Sequence, residues 1–255
     1  MRTHILRRAT SARLALLAFV ILFFNLLATA QGGPPLLTDD PGTPGAGHME
    51  LNLGLTSEFR SGLKQWEAPI VDANYGWGNR IQLKYEVPWL VDTGSALGTS
   101  TALGDSKFGV KWRFMEHEKS LSISTYPQVS FNNFGQAARL GLVDRGKEFL
   151  IPVEAALEVG GFETVYEVGY SALQYRPDEW LFGAAAGREI SKRLELLAEI
   201  HGTTERDLSH SSDLVVNAGS RAHLSQHIAL LFSAGHGINN DSPRFISYAG
   251  VQITY

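Results

Sequence analysis

Period-two alternation of apolar and polar residues dominates the chain from about residue 48 onward. In residues 81–91, Ile81, Leu83, Tyr85, Val87, Trp89 and Val91 share one face, while Gln82, Lys84 and Glu86 share the other. Phe108, Val110, Trp112 and Phe114 repeat the pattern against Lys107, Gly109, Lys111 and Arg113. Leu121, Ile123, Thr125, Pro127 and Val129 oppose Ser122, Ser124, Tyr126, Gln128 and Ser130. Phe149, Ile151, Val153, Ala155 and Leu157 oppose Glu154 and Glu158; Leu194, Leu196, Ala198 and Ile200 oppose Glu195, Glu199 and His201. Such alternation is that of β-strands with one apolar face. Followed to the end, it predicts about twelve strands, at residues 48–60, 64–77, 80–92, 104–115, 119–131, 147–159, 162–175, 179–190, 193–204, 212–223, 226–237 and 244–255. No helical period appears after the first 30 residues.

The connections then narrow the fold class. Tight ones at 78–79, 116–118, 160–161, 191–192 and 224–225 alternate with a second set at 61–63, 92–103, 132–146, 176–178, 204–211 and 238–243. Most of the second set are longer or more polar. Short turns at one end and longer loops at the other are the layout of an outer-membrane β-barrel, and an even strand number leaves both termini on the periplasmic side. The rival is a soluble antiparallel sandwich. It does not account for Trp66, Trp77, Trp89, Trp112, Tyr170 and Trp180, which fall near both ends of the apolar faces, where a membrane barrel carries its aromatic girdles. The expected class is therefore all-β, a transmembrane antiparallel up-and-down barrel of about twelve strands. The last strand stops on an aromatic: Val251, Ile253 and Tyr255 share a face against Gln252 and Thr254. That ending resembles the C-terminal signature read by the barrel-assembly machinery, an expected partner through Tyr255.

Residues 1–30 read as a secretory signal. Arg2, Arg7, Arg8 and Arg13 precede an apolar stretch from Leu14 to Leu27, and Ala28-Thr29-Ala30 gives a small-x-small cleavage pattern. The stretch is short for a membrane span of roughly 20 residues. A Pro- and Gly-rich leader, 31–47, then precedes the barrel at 48–255. The chain has no cysteine, which excludes a lipoprotein anchor, disulfides and thiolate chemistry. The signal holds four of the 22 basic residues and none of the 26 acidic ones, so the mature chain has eight more acids than bases. Nucleic-acid binding, which calls for a basic patch, is not expected.

Candidate chemistry lies on the polar face, which in a barrel of this size points inward. Lys84, Glu86, Lys107, Lys111 and Arg113 fall on neighbouring strands, with Glu154, Glu158, Glu163, Glu167, Glu195 and Glu199 further round. A basic wall facing an acidic one sets a transverse field that selects among solutes. Alternatively the charges pair and fill the interior, as side chains do in small barrels. The strand number favours a narrow pore. Asp39 and Asp40 are too few oxygens for a calcium site; they either cap a plug-like N-terminal segment in the lumen or, the favoured reading, form a turn that ends the leader. His210-Ser211-Ser212-Asp213 invites a hydrolase reading, since an outer-membrane phospholipase of twelve strands provides a precedent. A nucleophile needs its base within hydrogen-bond reach, however, and neighbouring residues in a polar loop point to opposite faces. His117, His223, His227 and His236 are scattered without zinc spacing. No cofactor and no enzymatic activity are expected.

Two segments carry a family resemblance. Residues 33–51 contain P-L-L-T-D-D-P-G-T followed by G-x-G and the first strand, and residues 104–114 read G-D-S-K-F-G-V-K-W-R-F. Both resemble the MetA-pathway phenol-degradation (transporter-like) family of bacterial outer-membrane proteins. The resemblance implies a β-barrel and a role in moving small solutes, aromatic or hydrophobic ones among them. The resulting expectation is a monomeric-looking outer-membrane barrel in contact with lipid that passes or binds a small solute without chemistry. An outer-membrane lipid hydrolase and a structural barrel with a plugged lumen are the alternatives.

Overall fold

The computed structural model describes residues 33–94, 98–117, 121–207 and 212–255; the expected signal segment lies outside them. Fourteen strands follow in chain order: β1 (Met49–Arg60), β2 (Leu63–Trp77), β3 (Ile81–Asp92), β4 (Ser100–Leu103), β5 (Ser106–His117), β6 (Leu121–Thr125), β7 (Gln128–Phe131), β8 (Lys147–Val159), β9 (Phe162–Leu173), β10 (Glu179–Ser191), β11 (Leu194–Glu205), β12 (Ser212–His223), β13 (Ile228–Gly237) and β14 (Phe245–Thr254). One helical turn, α1 (Gln136–Arg139), interrupts the connection before β8. Every pairing is antiparallel. β1 pairs with β14 from Glu50 opposite Thr254 to Phe59 opposite Phe245, which closes the sheet. β4 and β5 both pair with β3 and form one stave; β6 and β7 lie between β5 and β8 and form the next. The result is a closed barrel of twelve staves.

The two split staves have local causes. Pro127 has no N–H to give the ladder, and the sheet is kept continuous there by the Val110 N–H donating to the Pro127 carbonyl at 3.0 Å. Ahead of β5, Gly104 donates to the Pro88 carbonyl at 2.8 Å while Ser100–Leu103 already pairs with Trp89–Asp92. The fourth stave therefore starts four residues before the expected position 104. The strand expected at 162–175, β9, ends at Leu173, because Asp178 accepts the Leu173 N–H and turns the chain. α1 is too short to register as a helical period.

Polarity is inverted relative to a soluble domain. Leu53, Leu83, Val110, Ile151, Val153, Val168, Leu196, Ile200, Val216 and Phe232 lie exposed on the outside, while Asn52, Asp72, Gln82, Lys111, Glu154, Glu167, Glu199, Asn217 and Arg221 are buried within. Outward aromatics gather in two rings. Trp77, Trp112, Phe114 and Phe162 stand at the turn end. Phe59, Trp66, Trp89, Phe149, Tyr170, Trp180 and Phe245 stand at the loop end, where Phe59 meets Trp66 edge-on at 5.4 Å and Tyr170 meets Trp180 at 5.0 Å. Among the described residues no helix is long and apolar enough to cross a membrane; a closed barrel crosses with strands, because every backbone group inside the hydrocarbon is paired within the ladder. Apolar belt, aromatic rings and closed ladder place the protein in the bacterial outer membrane.

Among the described residues, two segments enter the barrel. At the loop end, the connection carrying α1 folds into the mouth and packs Ala137 and Leu142 on Leu90 and Ala102 of the wall, with the Gln65 amide donating to the Leu142 carbonyl at 3.0 Å. From the turn end, residues 33–47 pass into the lumen.

Candidate functional site in the barrel lumen

The leader forms a loop that crosses the lumen from wall to wall. It is tied to the turn between β2 and β3 by Thr43, which donates to the Asn79 carbonyl, and by the Ala46 N–H, which donates to Asn79 Oδ1. A tight turn at the far side, with the Gly33 N–H on the Thr38 carbonyl at 2.9 Å, presents Leu36 to the wall. Leu36 fills a bowl of Ala156, Val165, Ala185 and Leu197, inward positions of β8 to β11. Ser233 donates to the Pro35 carbonyl at 2.7 Å and Arg221 to that of Pro34 at 3.3 Å. The Leu37 and Thr38 N–H groups donate to the Glu199 carboxylate at 2.9 and 2.8 Å, and the Asp39 N–H to Glu167 at 3.1 Å.

Two wall glycines make the passage possible by their missing side chains. A Cβ on Gly183 would lie 2.5 Å from Thr38 Oγ1, and one on Gly76 would lie 1.8 Å from the Gly45 carbonyl oxygen. Neither position is conformationally unusual; the requirement is close approach of the leader.

The opposite wall holds the leader by charge. Lys111 is 1 % exposed and donates to Asp39 Oδ1 at 2.8 Å and to the Asp40 carbonyl, with Glu154 Oε2 at 3.6 Å and the Tyr126 ring centroid at 4.7 Å. Burial alone would push the Asp39 carboxyl up, but the Lys111 and Lys84 ammoniums and the hydrogen bonds from Lys111 and the Asp40 N–H hold it below the usual carboxylate range. Asp39 and Asp40 are thus anchors of a segment inside the lumen rather than a turn ending it. Beside them lies a polar cavity of about 30 Å³, bounded by Glu50, Asp72, Asn74, Gln82 and Lys84, room for little more than water.

All nine residues named on the sequence as lumen-lining take inward positions, but not as two opposed walls. Lys84 pairs with Asp72 at 3.5 Å and Glu86 at 3.0 Å, and Lys107 with Glu86 at 2.9 Å. Arg113 sits by the turn and donates to the Asn79 carbonyl, with Glu116 at 3.4 Å. Glu195 pairs with Arg221 at 2.9 Å. Glu154, Glu167 and Glu199 lie round the leader. The charges pair laterally and the filling of the lumen comes from the leader, so the basic wall of the sequence expectation is a mixed one. Of the hydrolase candidates, His210 and Ser211 fall outside the described residues, while Asp213 is held by Arg60. Among the described residues no three His, Asp or Glu side chains gather as a metal site.

Leu36, Thr38, Tyr126, Arg221 and the glycines at 76 and 183 escape sequence reading. One signal was there, but a mixed one: glycines recur at polar-face positions of strands, and while Gly76 and Gly183 make room for the leader, Gly54, Gly109 and Gly250 make room for the wall tyrosines Tyr126 and Tyr248.

No family model and no curated protein matches the chain. Solved structures do. The KdgM porin superposes with a TM-score of 0.59 at 8 % identity, over 81 % of this chain and 99 % of that one. The KdgM porin in complex with disordered oligogalacturonate gives 0.58 at 8 % over 82 % and 99 %, and the NanC porin 0.55 at 9 % over 80 % and 98 %. At this identity the likeness speaks for the fold alone, a porin-like outer-membrane barrel.

Proposed function

We propose that the protein is an outer-membrane channel for small solutes, closed by its own N-terminal leader. The observation that carries this reading is the way the leader is held. The leader's backbone meets a wall strand at its β1 end, where the Gly47 N–H donates to the Gly76 carbonyl at 2.9 Å. Residues 34–40, however, share no backbone ladder with the wall and are fixed by side-chain hydrogen bonds, one ion-pair cluster and a single buried leucine. Ordering each residue costs about 1–2 kcal/mol and a hydrogen bond to a charged group returns about 1.5–3 kcal/mol, so such a segment is bound by a margin small enough to reverse. The wall behind it is polar and charged, as a water-filled lumen requires. The porin-like fold supports the same reading, and the resemblance to the MetA-pathway family points to small aromatic or hydrophobic compounds as cargo. No step of chemistry is asked of the wall.

Planar-bilayer recording tests it. The full mature chain should conduct rarely, and Gly183→Val, whose side chain cannot coexist with Thr38, should give frequent discrete steps. A Gly183→Val barrel that folds yet never conducts would mark a structural barrel with a permanently filled lumen.

A further inference from the structure

Resting on the channel reading, we propose that Glu154, Glu167 and Glu199 form a binding site for a small organic cation, a guanidinium or ammonium with a short apolar tail. The leader occupies that site as an internal competitor.

Glu167 and Glu199 are 4 % and 6 % exposed, yet among the described residues neither forms an ion pair with a basic side chain. Burying a carboxylate without a cation is costly. What they receive instead is a fan of neutral donors. Consecutive N–H groups of Leu37, Thr38 and Asp39 converge on them, the Leu37 N–H reaching both oxygens of Glu199 at 2.9 and 3.1 Å, and the Asn217 amide adds one more at 2.9 Å. Two adjacent N–H donors on the Glu199 carboxylate, with a third on Glu167 two strands away, are what a guanidinium's N–H groups supply in one ligand, with the missing charge added.

Two further observations point to the same ligand. Glu154 stands directly opposite Glu167 in the ladder and is fully buried, and its Oε1 has no hydrogen-bond partner. One acceptor at the site is therefore left unused by the leader. Beside the carboxylates lies the bowl of Ala156, Val165, Ala185 and Leu197, which takes one branched apolar side chain. Acid and bowl together describe a cation with a tail of about four carbons, not an inorganic ion, which would leave the bowl unfilled.

The test uses the full mature chain in detergent, with butylguanidinium as probe and butyrate and 1-butanol as controls, read by calorimetry. In Leu36→Asp the leader's anchor becomes an acid facing apolar wall and carboxylates, so the site is vacated. Butylguanidinium should bind this variant roughly tenfold or more tightly than the wild type, and adding Glu167→Gln and Glu199→Gln should remove at least about tenfold again. Boiled and unboiled gel migration checks that each variant is folded. If the triple variant does not fold, Leu36→Asp with Glu199→Gln alone takes its place under the same expectation. Equal binding with and without the glutamines, equal binding by wild type and Leu36→Asp, or butyrate binding as well as the cation would each overturn the proposal. Binding in detergent does not depend on conduction. Cation binding by a barrel that never conducts sinks the channel and leaves the site, whereas conduction without cation binding does the reverse.

Discussion

Lys111 is the residue on which the closed lumen turns. Its ammonium lies over the Tyr126 ring and between Asp39, Asp40 and Glu154, so one cation serves three acids. Lys111→Met keeps most of the volume and leaves those acids without it. Removing one partner from a buried charge cluster costs about 3 kcal/mol or more, which should raise the open probability of the reconstituted barrel roughly a hundredfold. The reading fails if the variant stays as closed as the wild type. Asp39 adds a pH dependence whose sign follows from its lowered pKa. A carboxyl held below its unfolded value contributes to docking fully above that unfolded value, about 3.9, and loses the contribution as pH falls through the lowered one. Conductance should therefore stay flat from pH 8 to about 5 on this account and rise only in acid below about 4. Asp39→Asn should remove that acid rise by opening the barrel at every pH.

At the scale of elements, the loop carrying α1 and the turn between β8 and β9 stand at opposite ends of the barrel. Phe134, 90 % exposed, tops the loop beside α1, and Gly160 lies at the tip of the turn. Because the chain has no cysteine, Phe134→Cys and Gly160→Cys each introduce one reactive site. A membrane-impermeant maleimide should label the first on intact cells and the second only after permeabilisation. The opposite pattern would invert the orientation in the membrane and place the leader's entrance outside. The splitting at Pro127 also belongs to this scale: a single residue without an N–H divides one stave while the neighbouring ladder carries on.

For the molecule as a whole, the seam between β1 and β14 decides whether a barrel exists. Tyr255 closes it twice, its N–H donating to the Met49 carbonyl at 2.9 Å and its carbonyl accepting the Met49 N–H at 3.1 Å. Unboiled protein should migrate differently from boiled protein on a detergent gel, since a ladder without edges resists detergent until heated. Deleting Tyr255 should lower the heat-modifiable fraction in membranes, whereas Tyr255→Phe, which keeps backbone and ring, should not. Recovery of the wild type as a soluble periplasmic protein would contradict the fold's placement.

The sequence by itself determined the staves and the face each residue takes. Alternation is a local property, and a slip of one residue would turn Leu83 or Val153 inward and Lys84 or Glu154 into lipid, so register is legible wherever the two faces differ this strongly. Turn lengths, strand number and the inward placement of the charged residues follow from the same pattern. Partners across the lumen do not. Asp39 and Lys111 are 72 positions apart, and Leu37 and Glu199 are 162 apart; no periodicity relates them. The leader carries no alternation at all, since its turns and prolines are shaped to a cavity rather than to a sheet. Where it goes was decided only by closure of the barrel, which brought β5 and β11 within reach of one short segment and left, at Gly76 and Gly183, the space for it to pass.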